Sequence, residues 1–133
     1  MCATRYRRPG RGDRGALTLS YVIIVPVFLL AVMVIAQASL WYLARQAALA
    51  AAQQGADAAR ARNAPPGAGP RAALAFARQA ASGYLLGPTA TTPRSNQQTV
   101  EIAVSGHVPS LVPGVVINVK QVARAPREQF TTP

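Results

Sequence analysis

Between Arg14 and Arg45 no residue carries a formal charge, and this uninterrupted stretch, residues 16–44, limits what the chain can become. About 20 helical residues suffice to cross a hydrocarbon core of roughly 30 Å. A soluble domain of 133 residues has little interior in which to hide so long an apolar helix. The stretch therefore reads as a membrane span, and the flanks give it a direction. Arg5, Arg7, Arg8, Arg11 and Arg14 precede it with only Asp13 to offset them, the asymmetry that keeps an N-terminus on the cytoplasmic side. Trp41 and Tyr42 stand near the far end, where amphipathic rings favour the interface, and Arg45 marks the return to water. The expectation is a single-pass protein of the cell membrane, N-terminus cytoplasmic and C-terminal region extracytoplasmic.

Pro26 falls inside the run. It removes one backbone hydrogen bond, leaving the Val22 carbonyl without its donor, and is expected to kink a membrane helix that would otherwise be straight. Two other readings of the run stay open. Ala36-Gln37-Ala38 fits the small-residue pattern of a signal-peptidase site, which would yield a secreted protein cut near Ala38; a signal h-region of 7–15 residues is, however, shorter than this run. The third reading is an uncut single-pass anchor carrying an extracytoplasmic interaction domain.

Beyond the run, LARQAALAAAQQGADAARAR (residues 43–62) is rich in alanine, free of proline and of β-branched residues, and so strongly helix-forming apart from Gly55. One helix from about residue 17 to 62 would be on the order of 70 Å long, more than an anchor needs. Ala47, Ala51, Gly55 and Ala59 recur every fourth residue within it. They form a ridge of small side chains against which another helix can pack closely.

Arg14-Gly15 followed by ALTLSYVIIVP, and the later QASLWYLARQAALAAAQQGADAAR, resemble the N-terminal region of TadE-like proteins, pseudopilins of the Tad branch of type IV pilus machinery. The resemblance spans about residues 12 to 60. It implies that a prepilin peptidase cuts after Gly15, leaving Ala16 as the first mature residue and removing a basic cytoplasmic leader, residues 1–15. Glycine before the bond lets a protease backbone approach closely. The same resemblance implies partners: the lipid bilayer, the peptidase, other pilin-like subunits and pilus assembly proteins. Pilin-like proteins carry Glu at the fifth mature position, where this chain has Ser20. A hydroxyl cannot make the ion pair that a carboxylate makes with a neighbouring terminal amine, and Ser20 is expected to bond back to a helix carbonyl instead.

After Arg62 the segment NAPPGAGP breaks the helix. Leu74, Ala77, Ala81, Tyr84 and Leu85, spaced by three and four, predict a second helix over 71–86 with Pro70 at its start. GPTATTPRSN (87–96) reads as a loop. Residues 99–105 and 115–120 alternate apolar with mostly polar side chains and predict two strands of an antiparallel hairpin, joined by a wide loop containing Pro109 and Pro113. The expected fold is α+β and pilin-like: a long N-terminal transmembrane helix leaving the membrane, a short second helix and a small hairpin. Its parts are a leader (1–15), a span (16–44), an alanine-rich extension (45–62) and a small extracytoplasmic α+β region (63–133).

The net charge is +10, but outside the leader the arginines are scattered and no nucleic-acid-binding motif accompanies them, so no nucleic-acid partner is expected. His107 is the sole histidine and the four acids, Asp13, Asp57, Glu101 and Glu128, lie far apart in sequence. No catalytic residue, metal site, cofactor or small-molecule substrate is predicted, and the chain is not read as an enzyme. Cys2, the single cysteine, allows no internal disulfide. Arg11-Gly12-Asp13 spells an adhesion tripeptide but falls within the leader.

Overall fold

The structure is a computed structural model that describes the backbone of residues 13–127 and the side chains of residues 21–127. The arginines of the leader up to Arg11, Cys2 and Glu128 lie outside the described residues. Helix α1, Asp13–Arg60, is continuous and passes through Pro26. It ends at a turn in which Asn63 takes φ 63°, a left-handed conformation that Asn tolerates better than most residues. Pro65 and Pro66 then forbid its resumption.

The chain divides into two units, Met1–Ile35 and Ala36–Pro133, the division falling inside α1. In the first, every large apolar side chain from Tyr21 to Ile35 is exposed. The second unit contains the remainder of α1 and all other elements. Helix α2, Ala68–Ala80, follows Gly67 at φ 77°. It begins and ends earlier than the expected 71–86. Pro70 occupies its third position, where a missing N–H breaks no intrahelical bond. The helix stops before Ser82-Gly83, and the chain turns so that Leu85 enters the core at 2% exposure. The Arg71 side chain donates to the Pro66 and Gly67 carbonyls at 2.7 and 3.3 Å, pinning the linker to α2.

Three strands follow: β1 (Leu86–Thr91), β2 (Thr99–Val108) and β3 (Ile117–Pro126), antiparallel in the order β1-β2-β3. The α+β class stands, with one strand more than the expected hairpin. The segment read as loop supplies β1: Thr89, Ala90 and Thr91 pair with Ser105, Val104 and Ala103. Pro88 is accommodated because β1 is an edge strand and the register shifts between Leu86 and Thr89. Between β1 and β2, the Asn96 side-chain oxygen accepts from the N–H groups of Gln98 and Thr99 at 2.9 and 2.7 Å, a local turn that Asn forms readily. β3 starts at Ile117 and runs on to Pro126, later and further than the expected 115–120.

The core lies between one face of this sheet and the helices of the second unit. Val100, Ile102, Val104 and Val108 of β2 and Val119, Ala123 and Ala125 of β3 are buried together with alanines of α1 and α2. Cross-strand partners such as Ile102 and Ala123 share that face. On the other face Glu101 is opposite Arg124.

Candidate functional site

Gly15, Ala16 and Ser20 belong to the first two turns of α1, and their side-chain surroundings lie outside the described residues. Pro26 is exposed, within the fully exposed apolar stretch. A helix apolar on every side and covered on none is suited to lipid rather than to water. From Tyr21 onward α1 is long and apolar enough to cross a membrane, with a mean hydropathy of 2.6 in its most apolar window and none of that window buried. One such helix fits a single-pass anchor.

The small-residue ridge of α1 is occupied from within the chain. Ala47 and Ala51 are buried at 9% and 0% exposure, Gly55 is buried, and Ala59 is partly so. Facing it, α2 offers its own row, Gly69, Ala73 and Ala77. A Cβ on Gly55 would lie 2.8 Å from both the Ala73 Cβ and the Gly69 carbonyl oxygen. A Cβ on Gly69 would lie 2.8 Å from the Ala59 Cβ and 2.9 Å from the Gly55 oxygen. The two backbones are thus in contact, an approach that only glycine at both positions permits. The ridge reading passed over a second row one residue further on: Ala44, Ala48, Ala52 and Ala56 are 0–3% exposed. Alanine density had concealed which of several four-residue rows faces inward.

Gln37, the first residue of the QASLWYLARQAALAAAQQGADAAR stretch that carries the resemblance, has partners that the sequence did not indicate. Its side-chain oxygen accepts from the Leu111 N–H at 2.8 Å, and its amide donates to the Pro109 carbonyl at 3.4 Å. The loop between β2 and β3 is thereby fastened to α1. One turn on, the Arg45 guanidinium sits over the Trp41 ring, 5.5 Å from its centroid, an arrangement favoured by the ring quadrupole.

The remaining polar groups are engaged structurally. Glu101, 6% exposed, accepts from Arg124 at 2.7 Å. The Ser95 hydroxyl accepts from the Glu101 N–H at 3.1 Å and donates to the Glu101 carbonyl at 3.3 Å. A cleft of about 360 Å³ beside Pro65, Gly67 and Ser95 has no His, Asp or Glu in its lining and so brings no base to that hydroxyl. His107 is exposed on β2, opposite Asn118. Among the described residues no three His, Cys, Asp or Glu side chains converge as a metal site would require.

The decisive features are therefore an uncovered apolar helix continued by an alanine-rich one, and a comparison of that region with known families is specific. Residues 15–57 match the family model described as TadE-like protein. The resemblance carried by the Gly15 junction, the apolar run and the alanine-rich stretch is thus to the TadE-like family. The TadE-like region stops within α1, leaving α2 and the sheet outside it. No curated protein and no solved structure matches the chain.

Proposed function

We propose that this chain is a Tad-pilus-associated membrane subunit, a minor pilin or pseudopilin, with a structural rather than an enzymatic task. The observation that carries the reading is the TadE-like match over residues 15–57, which opens at the residue before the expected scissile bond and takes in the whole exposed apolar stretch. On this reading a prepilin peptidase cuts between Gly15 and Ala16 on the cytoplasmic side, the leader arginines holding the substrate at the anionic leaflet. The helix stays in the bilayer, N-terminus inward.

The packing redirects the mechanism of assembly. Because α2 already covers Gly55 and its neighbours, that ridge is taken up within the chain, and the uncovered apolar surface of residues 21–35 is what the span offers to other subunits. With Ser20 in place of a carboxylate, that contact is apolar rather than ionic. Withdrawing so apolar a surface from lipid costs about 25 cal/mol per Å² exposed to water, so a subunit leaves the bilayer only against a partner of similar character and with work supplied by other pilus proteins.

N-terminal sequencing of membrane-isolated protein after coproduction with a prepilin peptidase tests this. A start at Ala16 is expected. A soluble product starting near Ser39 would establish secretion, and an intact N-terminus in the presence of active peptidase would establish the uncut anchor.

A further inference from the structure

The loop joining β2 to β3, residues 109–116, has three properties that belong together. Its tip is apolar and uncovered: Leu111, Val112, Val115 and Val116 are 42%, 47%, 48% and 69% exposed. No charged residue occurs between His107 and Lys120. Three of its six backbone N–H groups are bonded within the protein. Leu111 N–H goes to Gln37 at 2.8 Å, Val112 N–H to the Ser110 hydroxyl at 3.1 Å, and Val115 N–H to the Val112 carbonyl at 3.3 Å. Pro109 and Pro113 have no N–H to satisfy. These bonds lower the number of backbone groups that the loop would carry unpaired into the boundary between headgroups and acyl chains.

The attachment point gives the depth. Gln37 lies one helical turn before Trp41, on the apolar side of the Trp41, Tyr42 and Arg45 group that marks a membrane–water boundary. An amide there would be costly to leave unpaired, and the loop backbone pairs both ends of it. The loop is therefore held at the level of the aromatic belt and towards the lipid side of it.

We propose that the β2–β3 loop is a second membrane contact, its Leu111, Val112, Val115 and Val116 side chains entering the headgroup–acyl boundary of the leaflet from which α1 emerges. The inference rests on the reading of α1 as a membrane span. The occupant is lipid rather than a second copy of the chain, because the tether fixes the loop at a depth where lipid is the surrounding solvent.

The test uses the full-length chain with Cys2→Ser, reconstituted in phosphatidylethanolamine–phosphatidylglycerol vesicles containing doxyl-labelled phosphatidylcholine. An environment-sensitive fluorophore is attached at Val116→Cys, at Val27→Cys, or at the exposed Ser82→Cys. Lipid nitroxides are expected to remove most of the emission at positions 27 and 116 and little at 82, while aqueous iodide does the reverse. If position 27 is quenched by lipid but 116 by iodide, the loop proposal is overturned and the span stands. Shielding of 116 from both quenchers would mean that protein covers the loop, and would also overturn it. Lack of lipid quenching at position 27 would remove the span, and the loop contact with it.

Discussion

Gly55 and Gly69 show how little volume separates two states of one residue. In a helix interior Gly is worse than Ala by up to about 1 kcal/mol, so Gly55→Ala would stabilise an isolated helix. Here the added methyl meets a carbonyl oxygen and a Cβ at 2.8 Å, and neither is the end of a flexible side chain. The expected net result is a loss of about 1–3 kcal/mol as the helices are forced apart, read as a lower thermal midpoint of the detergent-solubilised chain. Gly83 is the control, since nothing lies within 4 Å of a Cβ built there. Gly83→Ala should be neutral or stabilising by up to about 1 kcal/mol. Arg124→Met leaves the buried Glu101 carboxylate without its guanidinium. Because Arg124 is itself largely exposed, water partly replaces it, and the expected cost is about 1–2 kcal/mol. Glu101→Gln in the same background should recover part of it, a coupling measurable by a double-mutant cycle.

Elements were legible in the sequence to the degree that one local rule decided them. The alanine-rich, proline-free stretch after Ala44 required a helix, and β2 and β3 announced themselves by alternation at Val100, Ile102 and Val104 and at Ile117 and Val119. β1 did not, because Gly87 and Pro88 are breakers by local chemistry. Only the β2 edge, by pairing with Thr89 and Thr91, makes that segment a strand. The end of α2 was misplaced for a related reason: Tyr84 and Leu85 keep helical spacing with Ala81, but Leu85 reaches the core through a turn. At the site, small residues at four-residue intervals were visible as a packing surface, but choosing between adjacent rows needed the partner helix. Gln37 could have been found by asking where an amide within an apolar run obtains its bonds. Gln37→Leu removes both bonds to the loop and should cost about 1–3 kcal/mol in all. Hydrogen exchange should then show faster exchange at the Leu111 amide with little change at Val104.

For the whole molecule, the first unit exposes every large apolar side chain from Tyr21 to Ile35 while the second encloses a core, and α1 belongs to both. Placing an arginine within the first should act on membrane integration and leave the fold of the second intact. Phe28→Arg is expected to cost about 3–4 kcal/mol of insertion free energy. It should shift protein from the carbonate-resistant membrane fraction to the extractable one. A fraction that stays fully resistant would argue that the charge has found a protein partner in the bilayer.

The seam between the helices also has a bearing on timing. Alanine and glycine surrender almost no rotamer freedom on contact, and Gly55 and Gly69 are near neighbours along the polypeptide. Their meeting requires no part of the sheet, and the residues that make it precede Ile117–Pro126 in the chain. Pulse-labelled exchange during refolding should accordingly protect the amides of Ala73 and Ala77 ahead of that of Val104, with the hairpin of helices as the template on which the strands then assemble.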